Sequence, residues 1–284
     1  MPLNEIRNWI GDADVSEDWA GVLRWDSRID ELVAQDPATS LDVLATFADA
    51  YFHACKFDKA GLAFERVAEA SGALQYCILE DEALSQAAIS YMKAGEWKIA
   101  EGLFERARDS FQAQEFVLQQ SKVCRWLGKL LKADGRSHEG LEENRRAYRV
   151  IQQQGVGEHD ASAAAAGAQH AAGHEPHEPC FTSTDRAFFS DRAYLERAAL
   201  RELVDGLCSV GEAEEAESML RLLEGVEGGE STADSRLWSH YLRGKLHLSE
   251  MNKKGSGRSL PLHVRNSYRE SAAVEFQATL NPRP

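Results

Sequence analysis

Three stretches of this chain align with one another without a gap, at a constant spacing of 40 residues. They are LDVLATFADAYFHACKFDKAGLAFERVAEA from Leu41, DEALSQAAISYMKAGEWKIAEGLFERARDS from Asp81 and SKVCRWLGKLLKADGRSHEGLEENRRAYRV from Ser121. A fourth copy, RAALRELVDGLCSVGEAEEAESMLRLLEGV, follows from Arg197 after an interruption. A fixed period of about 20–50 residues is the mark of one supersecondary unit stacked many times. The unit is helical: no proline stands between Leu41 and Arg149, and Ala, Leu, Glu, Arg and Lys dominate, all good helix formers.

In the first half of each copy, apolar or small residues recur at i, i+3, i+4 and i+7. The sets are Leu44, Phe47, Ala48, Tyr51; Leu84, Ala87, Ala88, Tyr91; Cys124, Leu127, Gly128, Leu131; and Leu200, Leu203, Val204, Leu207. That spacing places each set on one buried helix face. A glycine then occupies the same place in three copies, Gly95, Gly135 and Gly211, and suits the left-handed residue that ends a helix. Cys55 stands there in the first copy, which is expected to strain the turn or shift it by a residue. A second helix follows, with Ala60, Ala100, Gly140 and Ala216 at matching places and Phe64, Phe104, Asn144 and Leu220 four residues on. The small residue lets two helices approach, and the larger one fills the groove beside it. Each copy is therefore a helical hairpin that needs a neighbour to cover its apolar face.

These residues resemble tetratricopeptide repeats, most closely in AGEWKIAEGLFERA and SVGEAEEAESMLRLL, and less so in CKFDKAGLAFERVA and WLGKLLKADGRSHEG. The common repeat of that family is about 34 residues long, so the six extra residues lengthen the helices by roughly 9 Å per unit. Long-repeat relatives such as the soluble NSF attachment proteins, or the repeat subunits of large cell-cycle assemblies, are the nearer comparison. The resemblance implies an all-α, right-handed α-solenoid of about five hairpins with one flexible insertion. It implies binding of a partner segment in a concave groove lined by the first helices; the motif is specific for architecture and uninformative about chemistry.

The expected organisation is a helical capping segment over 1–40, three repeats over 41–151, an insertion over 152–182 and further repeats over 183–284. In the cap, helical fragments fall around Ile6–Ile10 and Trp19–Val33, with Trp9, Trp19 and Trp25 available to cover the first repeat. The insertion, QQQGVGEHDASAAAAGAQHAAGHEPHE, has scarcely a large apolar residue and cannot bury a core. Helix resumes after an N-cap at Ser183 or Thr184. A diverged fifth hairpin uses Leu237–Glu250 and His263–Leu280.

The formal charge of −14, from 32 Lys and Arg against 46 Asp and Glu, argues against general nucleic-acid or anionic-membrane binding. No apolar run is long enough for a membrane span, and the acidic opening MPLNEIRNWIGDADVSEDW is unlike a secretory signal or a transit peptide. Five scattered cysteines fit reduced thiols, so a cytoplasmic or nuclear location is expected.

Against that charge, Lys122, Arg125, Lys129 and Lys132 form a basic stripe at i, i+3, i+7 and i+10 on one helix. The resemblance places these positions toward the groove, where they would focus an acidic segment or a carboxylate terminus. Arg145, Arg146 and Arg149 add positive charge on the next helix. The first two repeats contribute Asp49, His53 and Gln86 to the same groove, with Phe52, Glu82, Ser85, Ile89 and Met92 beside them. The Lys/Asn clamp by which some family members hold a chaperone tail is broken here, since only Lys122 is suitable and Trp126 stands where an Arg is wanted. His170, His174, His177 and Cys180 could ligate zinc, but they lie in an Ala/Gly tract with no second ligand cluster, so no metal site is expected. No Walker loop, dinucleotide fingerprint or H-E-x-x-H occurs, and no catalytic residue or cofactor is expected. The reading is a protein-binding scaffold or adaptor, with a vesicle-fusion adaptor or a subunit of a large assembly as alternatives.

Overall fold

The structure, a computed structural model, describes residues 3–33, 37–153, 192–227, 233–255 and 271–275. The expected insertion with its His-rich tract, the Ser183/Thr184 cap and most of the last predicted helix lie outside these residues. Twelve bounded α-helices occur among them, beside the helical residues 271–275, and no strand. They are α1 (Leu3–Val15), α2 (Trp19–Val22), α3 (Ile29–Val33), α4 (Pro37–His53), α5 (Phe57–Ala73), α6 (Cys77–Ala94), α7 (Trp97–Ala113), α8 (Val117–Ala133), α9 (Ser137–Gln153), α10 (Arg192–Val210), α11 (Ala213–Glu227) and α12 (Ala233–Gly255). A 3-10 segment, Leu23–Arg28, joins α2 to α3, so the stretch expected as helix from Trp19 to Val33 is three short pieces. The chain divides into two compact units, one ending at Trp126 and the other resuming at Leu127.

The turns are more regular than the 40-residue period suggested. A left-handed residue occurs every 20 residues: Cys55 (φ 56°), Gln75 (60°), Gly95 (88°), Glu115 (62°) and Gly135 (85°), with Gly211 (86°) after the interruption. Around each, the same hydrogen bond closes the preceding helix. The N–H of the following residue donates to the carbonyl five back: Lys56 to Tyr51 (2.9 Å), Tyr76 to Ser71 (2.9 Å), Glu96 to Tyr91 (2.9 Å), Phe116 to Phe111 (2.9 Å), Arg136 to Leu131 (2.8 Å) and Glu212 to Leu207 (3.0 Å). This is the Schellman closure, which satisfies carbonyls a helix end would otherwise leave bare. Cys55 does not shift its turn; it takes the left-handed conformation in place. The turns between hairpins, at Gln75 and Glu115, use the same geometry as the turns within them.

Both predicted faces are buried. In the first unit Leu44, Phe47, Ala48, Tyr51, Leu84, Ala87, Ala88 and Tyr91 are each at most 6% exposed, and Ala60, Phe64, Ala100 and Phe104 at most 1%. Burying a phenylalanine contributes about 2–3 kcal/mol, so Phe64 and Phe104 are principal holdfasts. Gly61 lets the Tyr91 ring lie against α5: a Cβ there would stand 2.9 Å from it. In the second unit Leu141, Leu200, Leu203, Val204, Leu207, Leu220, Leu223, Leu242 and Leu246 form one cluster between α9, α10, α11 and α12. There α8 and α9 cross at Gly128 and Gly140, where a Cβ on Gly140 would lie 2.7 Å from the Gly128 carbonyl oxygen.

The segment before α4 is tied onto the first hairpin. Asp26 accepts from the Tyr51 hydroxyl and from Lys59 Nζ (2.8 Å), and Asp30 pairs with Arg66 (3.0 Å). The Lys59 and Tyr51 hydrogen bonds hold the Asp26 carboxyl below the usual range. Trp9 and Trp25 meet edge to face at 6.5 Å, and Trp19 stacks flat on His53.

At Asp81, 4% exposed, the carboxylate accepts from Ser110 Oγ (2.6 Å) and Gln114 Nε2 (2.8 Å), joining α6 to α7. Burial raises its pKa above the ordinary value despite these donors. Its folded form therefore binds a proton more readily than the unfolded chain, and the penalty on the ionised form is relieved as pH falls through the raised pKa. Asp81→Asn keeps an acceptor without the charge. It is expected to raise the urea midpoint at pH 7 and to flatten the pH dependence of stability just above the ordinary carboxylate range. For the turns, Gly95→Ala is expected to cost about 1 kcal/mol in denaturant unfolding, since an L side chain is disfavoured at that φ, whereas Glu115→Gly should raise stability.

Candidate functional site

The residues singled out in the sequence divide between the two units. In the first, Asp49 and His53 lie on α4, Gln86 on α6, and Lys122 and Arg125 on the opening stretch of α8. Asp49, Gln86 and Lys122 are partly exposed and His53 is exposed, whereas Arg125 is 7% exposed and belongs to the packed side of its helix.

His53 is the centre of a row of rings. Trp19 covers one face at 4.7 Å with an interplanar angle of 2°, and Phe52 meets it edge-on at 6.2 Å. Phe57 meets Phe52 at 5.5 Å. The ammonium of Lys93 lies over both phenylalanines, 5.6 Å and 5.5 Å from their centroids, and each such contact contributes about 0.5–1 kcal/mol at an exposed site. The sequence pointed to His53 and Phe52 but not to Phe57 or Lys93, whose placement depends on the turn at Cys55 and on the end of α6.

In the second unit Lys129 pairs with Glu202 at 2.8 Å. Lys132 binds one oxygen of the Asp205 carboxylate, and Lys245 of α12 binds the other. One carboxylate thus joins three helices, with Asp205 12% exposed, Lys132 30% and Lys245 22%. Burial, followed by the neighbouring charge of Lys245, brings the Lys132 pKa down to about 8. Lys245 also lies over the Tyr241 ring at 5.6 Å; Tyr241 meets Trp238 edge to face, and Arg201 lies over Trp238. Burial pushes the Cys208 thiol up to about 11, so it is held protonated and poorly nucleophilic.

The arginines of α9 are engaged close by. Arg145 donates to Glu142 (2.8 Å), Glu212 (2.6 Å) and Glu215 (2.6 Å), and Arg146 faces Glu143 at 3.8 Å. With Tyr148, Arg149, Leu203 and Met219, Glu142, Arg145 and Glu215 line a cleft of about 470 Å³. Asn144, where other copies carry a large apolar residue, is 2% exposed and donates to the Glu202 carbonyl at 3.1 Å. Among the described residues no group of three or more His, Cys, Asp or Glu side chains is placed to hold a metal ion, and no helix is long and apolar enough to cross a membrane.

Asp205→Ala would leave two half-buried ammonium groups facing each other. Removing one partner of a fully buried pair costs about 3–5 kcal/mol. Partial exposure screens these lysines, so a loss of about 2 kcal/mol in denaturant unfolding is expected.

No protein-family model and no curated protein matches the sequence. Solved structures do. BtubC (BKLC) from P. vanneervenii superposes with a TM-score of 0.56 at 13% identity, covering 100% of this chain and 94% of that one. The nearly identical TPR-like repeats of a Podosopora anserina protein named as a kinesin light chain give a TM-score of 0.55 at 14% identity, covering 88% of this chain and 100% of that one. At such identities the likeness speaks for the fold, and with the buried stripes and recurring turns it gives this chain a TPR-like helical repeat fold with a 40-residue period.

Proposed function

We propose that this chain is a non-enzymatic interaction scaffold that holds an extended or helical segment of a partner protein along its first helices. The observation that carries the reading is the division of labour within each hairpin. The apolar stripe of every first helix is consumed by packing, while Asp49, His53, Gln86 and Lys122 keep part of their surface in water on α4, α6 and α8. A repeat fold closed by one turn geometry every 20 residues is a preformed support, so ordering costs on binding fall mainly on the partner. Mixed polar and charged side chains there suit recognition of a peptide more than burial of a small molecule.

The test is affinity capture from a native extract with the whole chain, compared with the triple variant Asp49→Lys, Gln86→Lys, Lys122→Glu. Loss of a specific partner by about tenfold or more (roughly 1.4 kcal/mol), with the helical circular dichroism unchanged, is the expected result. An identical captured set, or no enrichment by the unaltered chain, would overturn the assignment.

A further inference from the structure

We propose that the side of the second unit formed by α10, α12 and the part of α8 from Leu127 onward receives the side-chain carboxylates of an acidic partner segment, bound between Lys132 and Lys245. This rests on the reading of the first helices as a binding surface and adds the chemistry of what they bind. Three ammonium groups, Lys129, Lys132 and Lys245, meet two carboxylates, Glu202 and Asp205. The five side chains therefore carry a net charge of +1 in a chain of net charge −14. Asp205 has one oxygen on each of two lysines, so its acceptors are shared between two cations that repel each other. Burial denies the lysines full hydration, yet 30% and 22% of their side-chain surfaces remain open. A further carboxylate can reach them and balance the charge where screening by solvent is weak. Tyr241 and Trp238 beside Lys245 offer apolar surface for the methylene stem of a glutamate. A nucleic acid is the poorer occupant, because its affinity grows with the number of phosphates neutralised, and this site offers three lysines.

The site is proton-linked. Glu202 and Asp205 on α10 favour the Lys132 ammonium, Lys245 on α12 opposes it, Lys129 lies one turn away on α8, and Cys208 presents a neutral thiol. An arriving carboxylate favours the charged form and draws a proton onto Lys132. Affinity is therefore full below the pKa of about 8 in the unbound protein and falls as pH rises through it.

The probe is a fluorescein-labelled hexaglutamate with an amidated C-terminus, followed by anisotropy on the whole chain at low salt between pH 6.5 and 9.5. A hexaserine with a free C-terminus separates a terminal carboxylate from side-chain ones. The expected result is saturable binding of hexaglutamate that weakens ~10-fold from pH 7 to 9, with none of hexaserine. Lys245→Gln should weaken binding about fivefold or more at pH 7. Lys132→Arg should keep binding at pH 7 and lose the dependence on pH, because a guanidinium does not titrate there. Absence of binding at pH 7, equal binding of hexaserine, an unchanged affinity in Lys245→Gln, or a pH slope retained in Lys132→Arg would each overturn the proposal. The triple variant of the first unit should bind hexaglutamate normally. Loss of hexaglutamate binding alone refutes this site, whereas an indifferent partner capture in that variant refutes the broader scaffold reading.

Discussion

The hydrogen bond that closes each helix five residues back is the constraint on which the rest of the architecture depends. It recurs at Lys56, Tyr76, Glu96, Phe116 and Arg136, at the ends of α4 to α8, which are 17 residues long apart from α6, with 18. Helices of nearly equal length with identical ends bring equivalent side chains to equivalent heights. Ala60, Ala100 and Gly140 each lie four residues beyond the closing donor, and their own N–H groups make the first bond of the next helix to Lys56, Glu96 and Arg136. A turn lengthened by one residue would rotate the following helix by about 100° and carry its apolar stripe out of the core.

Several cations among the described residues are held by nearby carboxylates. Arg145 is held by three glutamates, Lys59 and Arg66 by aspartates of the N-terminal segment, and Arg243 by Glu224. Exposed pairs of this kind contribute little to stability individually, but they remove cationic side chains from the surface offered to other molecules. The Asp205 cluster departs from this pattern, since two lysines draw on a single carboxylate.

How much of this was legible in the sequence depends on whether the determining contact was local. The stripes, the glycine turns and the small residues at 60, 100, 140 and 216 follow from spacing alone and are where the spacing put them. Gln75 and Glu115 escaped because neither is a residue that favours positive φ, although their 40-residue separation was there to be noticed. Arg125 was grouped with its neighbours by charge and spacing, while its burial comes from packing that spacing does not report. Lys129 and Lys132 find partners 73 residues away in Glu202 and Asp205. The signal was present as two i, i+3 pairs of opposite sign on helices of adjacent copies. Lys245 belongs to the diverged repeat, where alignment gives no register.

Asn144 fits because the chain yields space on both sides of it. A Cβ on Gly128 would stand 2.2 Å from its amide oxygen, and one on Gly206 would stand 3.2 Å from its amide nitrogen. The first two repeats have alanine at the counterpart of Gly128, Ala48 and Ala88, opposite phenylalanine at the counterpart of Asn144. The third repeat exchanges both members of the pair together. The hairpins are consequently not interchangeable: one bearing alanine there would collide with this amide, and one bearing phenylalanine would forgo the bond to the Glu202 carbonyl. A single buried amide thus sets the third repeat apart from the first two, tying it to the helix that follows in a way their phenylalanines cannot.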